Sequence, residues 1–279
     1  MGGPAPTDGT APQRQSLELR STALLRTYAR EPGRSVLARV EAGGALWQGG
    51  VAEDEPRPAA SLLKVPLALA AEDACADGEL DASAPVPLAE LLALDDPGPL
   101  RVLHPGLTLT VADVIGLCLA LSNRACAAWL CARTGLAAAQ EAAVRAGCRA
   151  TTLSEVTASD PSFPLSGRTT ARDALRLLDA AADDRAHPLT AAALRHCAVN
   201  SRIPLGADGL DVDLAHKTGT LTGVAHDVAV MTCRGGSLCV AFLTERQHDT
   251  LVSGYEMGLC TRGLLETWDL AVRRTRSIA

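Results

Sequence analysis

The order of strand-like and helix-like segments constrains the fold of this 279-residue chain more than any other feature. Strand-like runs stand near both chain ends, at residues 35–41, 45–51, 224–232 and 237–244. Between the two groups, from residue 61 to residue 199, apolar residues recur at helical spacing instead. A strand-rich layer that is interrupted by helices and then completed predicts an α+β fold, with an antiparallel sheet built from both chain ends and flanked by helices.

The helical segments divide the chain into two predicted subdomains. Several follow a Ser or Thr at the N-cap position, and we predict them at residues 17–29, 61–75, 111–121, 125–133, 137–146, 170–182, 188–199 and 254–274. We predict a disordered tail at residues 1–16, an α/β subdomain formed by residues 17–60 plus 200–279, and an inserted all-helical subdomain at residues 61–199. The cleft between the two subdomains is the expected active site.

Composition and charge exclude several classes of protein. Apolar residues make up 47% of the chain and aromatic residues 3%, so extended disorder is excluded and the core must consist mainly of Ala, Leu and Val. The net charge is −6 and no long basic run occurs, which argues against a nucleic-acid partner. The longest apolar stretch near a helix, residues 111–121, is interrupted by Asp113 and falls short of the roughly 20 residues that cross a bilayer, so we expect no membrane partner.

Cysteine usage and the N-terminal segment bear on the cellular compartment. The nine cysteines are an odd number without a C-x-x-C pair, and several lie in apolar runs, namely Cys118, Cys126, Cys131 and Cys239. We therefore predict buried, reduced thiols. Residues 1–16 contain neither the basic nor the apolar region of a secretory signal peptide. Both observations lead us to expect a cytoplasmic protein.

Ser61 and Lys64 form the first pattern with catalytic potential. They are predicted to open a helix, and residues three apart on a helix share a face, so the Lys64 amine can reach the Ser61 hydroxyl. A neutral, desolvated lysine can take the proton of a serine, and a helix N-terminus beside the serine offers N–H groups to an oxyanion. Taken alone, the pattern also describes an N-capping serine followed by a surface lysine.

Two further segments carry polar groups suited to catalysis. Lys217-Thr218-Gly219 precedes a strand-like run, where it can present an ammonium, a hydroxyl and an open backbone to a substrate carboxylate, or can form an ordinary glycine turn. Ser122-Asn123-Arg124 lies between two predicted helices. Ser122 can relay a proton to a leaving group there, or can simply cap a helix.

The three motifs together, in this order, resemble those of the penicillin-recognising serine enzymes, specifically the class A β-lactamase-like family. In that family an S-x-x-K motif is followed by an S-D-N-like loop and then by a K-T-G strand. Here the gaps are 61 residues from Ser61 to Ser122 and 95 residues from Ser122 to Lys217. The likeness includes the segment 217–230 and the order of helices and strands, and it covers roughly residues 17–275.

The resemblance implies a role for each matching residue. The implied catalytic residues are Ser61 as the nucleophile, Lys64 as its base, Ser122 as the proton shuttle and Lys217 as an electrostatic anchor. The implied substrate-binding residues are Thr218, Gly219 and Thr220: the threonine hydroxyls would meet a substrate carboxylate, and the N–H groups of Ser61 and Thr220 would form the oxyanion hole.

The middle motif departs from the family at two positions. Asn123 stands where the family has a structural aspartate, and Arg124 stands where it has a substrate-binding asparagine. That asparagine contacts both the lysine of the first motif and the amide side chain of a β-lactam. We therefore predict that Arg124 contacts the substrate, lowers the proton affinity of Lys64 by like-charge repulsion and occupies space used in ordinary penicillin recognition.

The family also implies a glutamate that activates the deacylating water, with an asparagine four residues on. The best match is Glu155, but Ser159 stands four residues on, and residues 149–167 otherwise bear little likeness to the family's omega loop. Glu155 is therefore either a water-activating base or a solvated loop carboxylate.

The leading hypothesis is a serine hydrolase that forms an acyl-enzyme on Ser61 and cleaves a β-lactam or a related amide or ester. Two alternatives stay open. One is a cytosolic acyltransferase or biosynthetic amide-processing enzyme, in which an amine rather than water resolves the acyl-enzyme. The other is a binding or sensor domain that is acylated without turnover.

The expected partner is a small molecule that carries an acyl group and a carboxylate, and the sequence leaves the oligomeric state open. The six histidines lack the H-x-x-x-H and H-E-x-x-H spacings, so we expect no metal site. No cofactor is indicated.

Overall fold

The computed structural model describes residues 11–94, 96–155 and 165–273. The strands are β1 (Arg34–Ala42), β2 (Ala45–Val51), β3 (Arg57–Pro58), β4 (Pro85–Pro87), β5 (Thr108–Thr110), β6 (Thr152–Glu155), β7 (Leu165–Thr169), β8 (Val212–Leu221), β9 (Val224–Cys233) and β10 (Gly236–Thr244). The helices are α1 (Ala11–Tyr28), α2 (Lys64–Ala76), α3 (Leu88–Leu92), α4 (Val111–Ala120), α5 (Arg124–Arg145), α6 (Ala171–Ala181), α7 (Pro188–Arg195), α8 (Ile203–Ala207) and α9 (Thr250–Thr267). Two 3₁₀ turns complete the set, at Ala60–Leu63 and Gly98–Val102.

A five-stranded antiparallel sheet is built from both ends of the chain. Its strand order is β2-β1-β10-β9-β8, so the N-terminal hairpin pairs with the C-terminal strands through β1 and β10. This arrangement confirms the predicted α+β fold. The segment 61–199, which we predicted to be all helical, also contains the short strands β4, β5, β6 and β7, which pair outside the main sheet. The Lys-Thr-Gly segment, which we placed before a strand or in a glycine turn, lies within β8, an edge strand of this sheet.

The sheet separates two apolar cores, because successive side chains of a strand point to opposite faces. In β1, Val36 and Ala38 pack with residues of α1 and α9, whereas Leu37 packs with residues of α6 and the other helices. The core that contains Leu37 is the larger and includes the apolar faces of α2, α4 and α5. Cys118, Cys126 and Cys239 are buried in it, as small apolar residues would be.

The helix α5 covers the two separate helices that we predicted, and it is kinked between them. Gly135 inside it has a left-handed backbone with φ of 78°, which kinks the helix between the predicted segments 125–133 and 137–146. Glycine adopts this conformation without steric cost. Among the described helices, none is both long and apolar enough to cross a membrane.

The helix ends differ from the predictions at both termini. Helix α1 begins at Ala11, so residues 11–16, which we assigned to a disordered tail, are helical; residues 1–10 lie outside the described part. Pro12 fits there because the first turn of a helix has no partner for its N–H groups. Helix α9 ends at Thr267 rather than at residue 274, since Asp269 takes a left-handed backbone with φ of 49°.

Candidate active site

Ser61 lies in a tight turn rather than in the first turn of an α-helix. The 3₁₀ turn Ala60–Leu63 carries it directly into α2, and its side chain is partly exposed. Strand β7 anchors the start of this turn, because the Ala59 N–H donates to the Gly167 carbonyl over 2.9 Å. Ala60 has a left-handed backbone with φ of 49°, an uncommon conformation for a residue with a Cβ.

Lys64 is the buried partner of this serine. Its side chain is 1% exposed, and Nζ lies 2.9 Å from Ser61 Oγ, which confirms that the two side chains share one face. Burial lowers the pKa of Lys64 to about 7, and the neighbouring ammonium of Lys217 and guanidinium of Arg124 contribute to the decrease. A substantial fraction of Lys64 is therefore neutral at pH 7 and able to accept a proton.

Ser122 joins the two lysines. It follows the end of α4 with a left-handed backbone, φ of 52°, and its Oγ accepts from Lys64 Nζ over 3.3 Å and from Lys217 Nζ over 3.0 Å. Asn123 then caps α5 by accepting from the Cys126 N–H, and its amide nitrogen donates to the Pro97 carbonyl over 2.8 Å. The helix cap is therefore Asn123, and Ser122 is left in contact with the two lysines.

Lys217 and the residues after it lie along the free edge of the sheet. Lys217 is fully buried, its Nζ also donates to the Thr218 carbonyl over 2.8 Å, and burial lowers its pKa. Thr218 is buried and Thr220 is exposed. Gly219 brings the strand against the 3₁₀ turn that carries Ser61, because a Cβ placed there would lie 3.2 Å from the Cβ of Ala60.

Arg202 is a cation of the site that the sequence analysis missed. It is 7% exposed, and it donates to Thr220 Oγ1 over 2.6 Å, to the Gly219 carbonyl over 2.9 Å and to the His226 carbonyl. Burial lowers its pKa. No short motif marks this arginine, because it reaches β8 from the segment before α8 only after the chain has folded.

Buried groups fix Arg202 on both sides along the chain. His216 Nε2 lies 3.2 Å from Asn200 Oδ1, two residues before it, and Asp227 Oδ2 accepts from the Ile203 N–H over 3.0 Å, one residue after it. His216 Nδ1 is 3.0 Å from Asp227 Oδ1, so the two anchors are themselves joined. The segment that carries Arg202 is thus tied to β8 and β9.

Arg124 opens α5 on the helical side of the site. A guanidinium nitrogen lies 3.2 Å from Asp96 Oδ2, and the two side chains are 31% and 54% exposed. Asp96 has a left-handed backbone with φ of 49°. In the described residues, three of the six non-glycine residues with positive φ, at positions 60, 96 and 122, adjoin this site; such strain concentrates at functional sites.

Glu155 is placed only through its backbone. It ends β6 and pairs with Leu165 of β7; its side chain, like residues 156–164 with Ser159, lies outside the described part of the chain. Within that part, no group of three or more His, Cys, Asp or Glu residues is arranged to hold a metal ion.

Comparison with known proteins agrees with the fold. A model of the beta-lactamase enzyme family matches residues 21–257. The β-lactamase from Sphaerobacter thermophilus DSM 20745 is 26% identical, with a TM-score of 0.76 over 90% of this chain and 97% of that chain. A class A β-lactamase representative from Bacteroides cellulosilyticus DSM 14838 is 18% identical, with a TM-score of 0.73 over 90% of this chain and 98% of that one.

A third similar structure is a mutant of PBP-A in an acyl-enzyme complex with penicillin G. It is 19% identical, with a TM-score of 0.72 over 91% of this chain and 97% of that chain. A search of curated proteins found no match. Because the family model spans most of the sequence and the folds agree, this chain belongs to the beta-lactamase enzyme family and is a serine hydrolase-like enzyme with the class A β-lactamase fold.

Proposed function

We propose that the protein forms an acyl-enzyme on Ser61 and hydrolyses a β-lactam or a related amide or ester. The observation that carries the proposal is the continuous proton path from Ser61 Oγ to Lys64 Nζ, 2.9 Å, and on to Ser122 Oγ, 3.3 Å. Each separation is short enough for direct proton transfer. Lys64 stands in the middle of the path with its pKa lowered by burial to about 7.

In the acylation step, Ser61 Oγ attacks the carbonyl carbon while neutral Lys64 takes its proton. The tetrahedral intermediate then collapses, and the bond from the carbonyl carbon to the leaving group breaks. Ser122 gives its proton to the leaving atom and regains one from the Lys64 ammonium. The proton that leaves Ser61 is thereby balanced by the proton that the leaving group gains, and Lys64 returns to its neutral form.

Hydrogen-bond donors on the β8 side can stabilise the negative charge that develops on the carbonyl oxygen during this step. We assign the oxyanion to the backbone N–H groups of Ser61 and Thr220, and the support is the close approach of Gly219 to Ala60, which brings the two backbones side by side. We assign a substrate carboxylate to the hydroxyls of Thr218 and Thr220, with the charges of Lys217 and Arg202 beside them.

For deacylation we propose Glu155 as the base that activates water. The hairpin of β6 and β7 supports this assignment, because Gly167 of β7 accepts from Ala59, two residues before Ser61. Penicillin G forms the acyl-enzyme in the similar PBP-A structure, which makes penicillins reasonable probes for this chain.

The test is steady-state hydrolysis of a chromogenic cephalosporin by the wild type and by Glu155→Gln, with Glu141→Gln as a matched control. We expect turnover by the wild type and by the control, and an accumulating acyl-enzyme in Glu155→Gln. A wild type that stays acylated in water but is released by added amines contradicts hydrolysis and supports the acyltransferase alternative. An acyl-enzyme that neither water nor amines resolve supports a sensor.

A further inference from the structure

The site has a cation on each side of the reacting serine. On the β8 side, Lys217 donates to Ser122 Oγ and Arg202 donates to Thr220 Oγ1. On the helical side stands Arg124, which pairs with Asp96. We propose that Arg124 selects substrates that carry an anionic group on the acyl substituent, in addition to the carboxylate held by β8. This inference rests on the proposed acylation of Ser61.

The position of Arg124 follows from its neighbours in the chain and in space. It stands two residues after Ser122, whose Oγ accepts from both lysines, and Asn123 between them is locked by its bonds to Pro97 and Cys126. The charge of Arg124 is close enough to contribute to the lowered pKa of Lys64. The Arg124 side chain thus starts two residues after Ser122, and 31% of it is open to solvent.

The position of Arg124 in its helix does not favour a cation. Arg124 is the first residue of α5, where a positive side chain opposes the helix dipole, and the first turn of α5 has no acidic residue to offset it. The pair with Asp96 is partly exposed on both sides, and exposed ion pairs contribute little to stability. The exposed side of the guanidinium can thus meet a bound anion in addition to the Asp96 carboxylate.

The geometry of an acylating substrate determines which of its groups can reach Arg124. With the carbonyl carbon at Ser61 Oγ and the ring carboxylate of a β-lactam at Thr218 and Thr220, the leaving nitrogen faces Ser122. The acyl substituent is then the remaining arm, and it extends along the helical side, where Arg124 and Asp96 lie. An anion on this arm pairs with Arg124, whereas an ammonium there would need to pair with Asp96 against the repulsion of Arg124 and Lys217.

Three penicillins test the proposal, because they share one scaffold and differ in charge at one carbon. Benzylpenicillin has a neutral side chain, carbenicillin carries a carboxylate on the side-chain α-carbon, and ampicillin carries an ammonium there. The measured quantity is the second-order rate constant for acylation of Ser61, followed by intact mass. We expect carbenicillin to acylate the wild type about tenfold faster than ampicillin, with benzylpenicillin between them, and the difference to shrink with added salt.

The variants are expected to change the preference for carbenicillin over ampicillin in opposite directions. Arg124→Gln removes the preference and Arg124→Glu inverts it, whereas Asp96→Asn increases it by removing the competing carboxylate. The matched control is Arg133→Gln, because Arg133 lies on the same helix, is 36% exposed and pairs with Glu90 over 3.3 Å. This control keeps the wild-type preference.

Equal rates for the three penicillins in the wild type, or a preference for ampicillin, would overturn the inference. So would a preference that survives Arg124→Gln. If an Arg124 variant fails to fold, the Asp96→Asn variant alone tests the proposal. A smaller preference for carbenicillin over ampicillin in Asp96→Asn than in the wild type would contradict it. Failure of all three penicillins to acylate Ser61 counts against the proposed function instead, so the two failures are distinguishable.

Discussion

His216 Nδ1 lies 3.0 Å from Oδ1 of Asp227, and the two side chains are 1% and 0% exposed. Through Asn200 and the Ile203 N–H the pair fixes the segment that carries Arg202. A contact buried between β8 and β9 therefore sets the position of Arg202 beside Thr220, where we propose that the substrate carboxylate binds.

Weakening this anchor should reduce substrate affinity more than turnover. Asp227→Asn keeps the shape but removes the charge near Arg202, so we expect the KM for a carboxylate-bearing β-lactam to rise about tenfold with a smaller change in kcat. Asp213→Asn, at an exposed position on the neighbouring strand β8, serves as the control. An ester without a carboxylate should show no difference between variant and wild type; an equal rise of KM for that ester would contradict the assignment.

The acylation rate should depend on the protonation of Lys64. Its pKa is lowered by burial to about 7, and the neutral amine is the active form, so the rate rises with pH through a midpoint near that value and falls about tenfold per pH unit well below it. The measurement is the single-turnover acylation rate between pH 5 and pH 9. Arg124→Gln removes one neighbouring charge and should move the midpoint to higher pH. A rate that does not change with pH between pH 5 and pH 9 would contradict Lys64 as the base, and a rate that still rises tenfold per pH unit at pH 9 would contradict its lowered pKa.

His226 makes folding stability depend on pH. It is fully buried, its Nδ1 accepts from the Thr244 N–H over 3.0 Å, and its Nε2 therefore donates to the Pro58 carbonyl. Burial lowers its pKa from 6.5 to about 4, so the unfolded chain takes up a proton first as the pH falls. The stabilisation by neutral His226 is full above pH 6.5 and decreases toward pH 4, by about 3 kcal/mol in total.

Urea unfolding at several pH values measures this dependence. His226→Gln should flatten the decrease of the free energy of unfolding between pH 6.5 and pH 4, whereas His104→Gln, at an exposed loop position, should leave it unchanged. A curve for His226→Gln that parallels the wild type would show that other groups cause the acid sensitivity.

Gly219 is expected to set the distance between β8 and the 3₁₀ turn that carries Ser61. A Cβ there would meet Ala60 Cβ at 3.2 Å and His226 Cδ2 at 3.1 Å, so Gly219→Ala must displace the strand by a few tenths of an ångström. We expect acylation to slow by roughly ten- to a hundredfold, since the oxyanion donors lose their alignment. Gly116→Ala in α4 is the control, because nothing lies within 4 Å of its Cβ. Unchanged acylation in Gly219→Ala would contradict this role.

The sequence predicts those parts of the fold and site that depend on local pattern or fixed spacing. Strand alternation identified β1, β2, β9 and β10, and the helix spacing of Ser61 and Lys64 predicted their contact correctly. The meeting of Ser122 with both lysines came from the family resemblance rather than from local pattern.

The parts that depend on tertiary contacts were not predictable. Arg202 is a single arginine in a connection, and its contacts arise only when that connection folds against β8. His216 and Asp227 lie 11 residues apart in the chain and meet through the pairing of β8 with β9. The 3₁₀ geometry at Ser61 likewise follows from its packing against β7 and Gly219 rather than from residue preference.

The most direct test of the central claim is the mass of the intact protein after brief exposure to benzylpenicillin at pH 7. The account predicts a transient adduct of one intact penicillin, mapped to the peptide that contains Ser61, in the wild type and in the exposed control Ser83→Ala. It predicts no adduct in Ser61→Ala. An adduct that persists in Ser61→Ala, or that maps to another residue, would contradict Ser61 as the nucleophile.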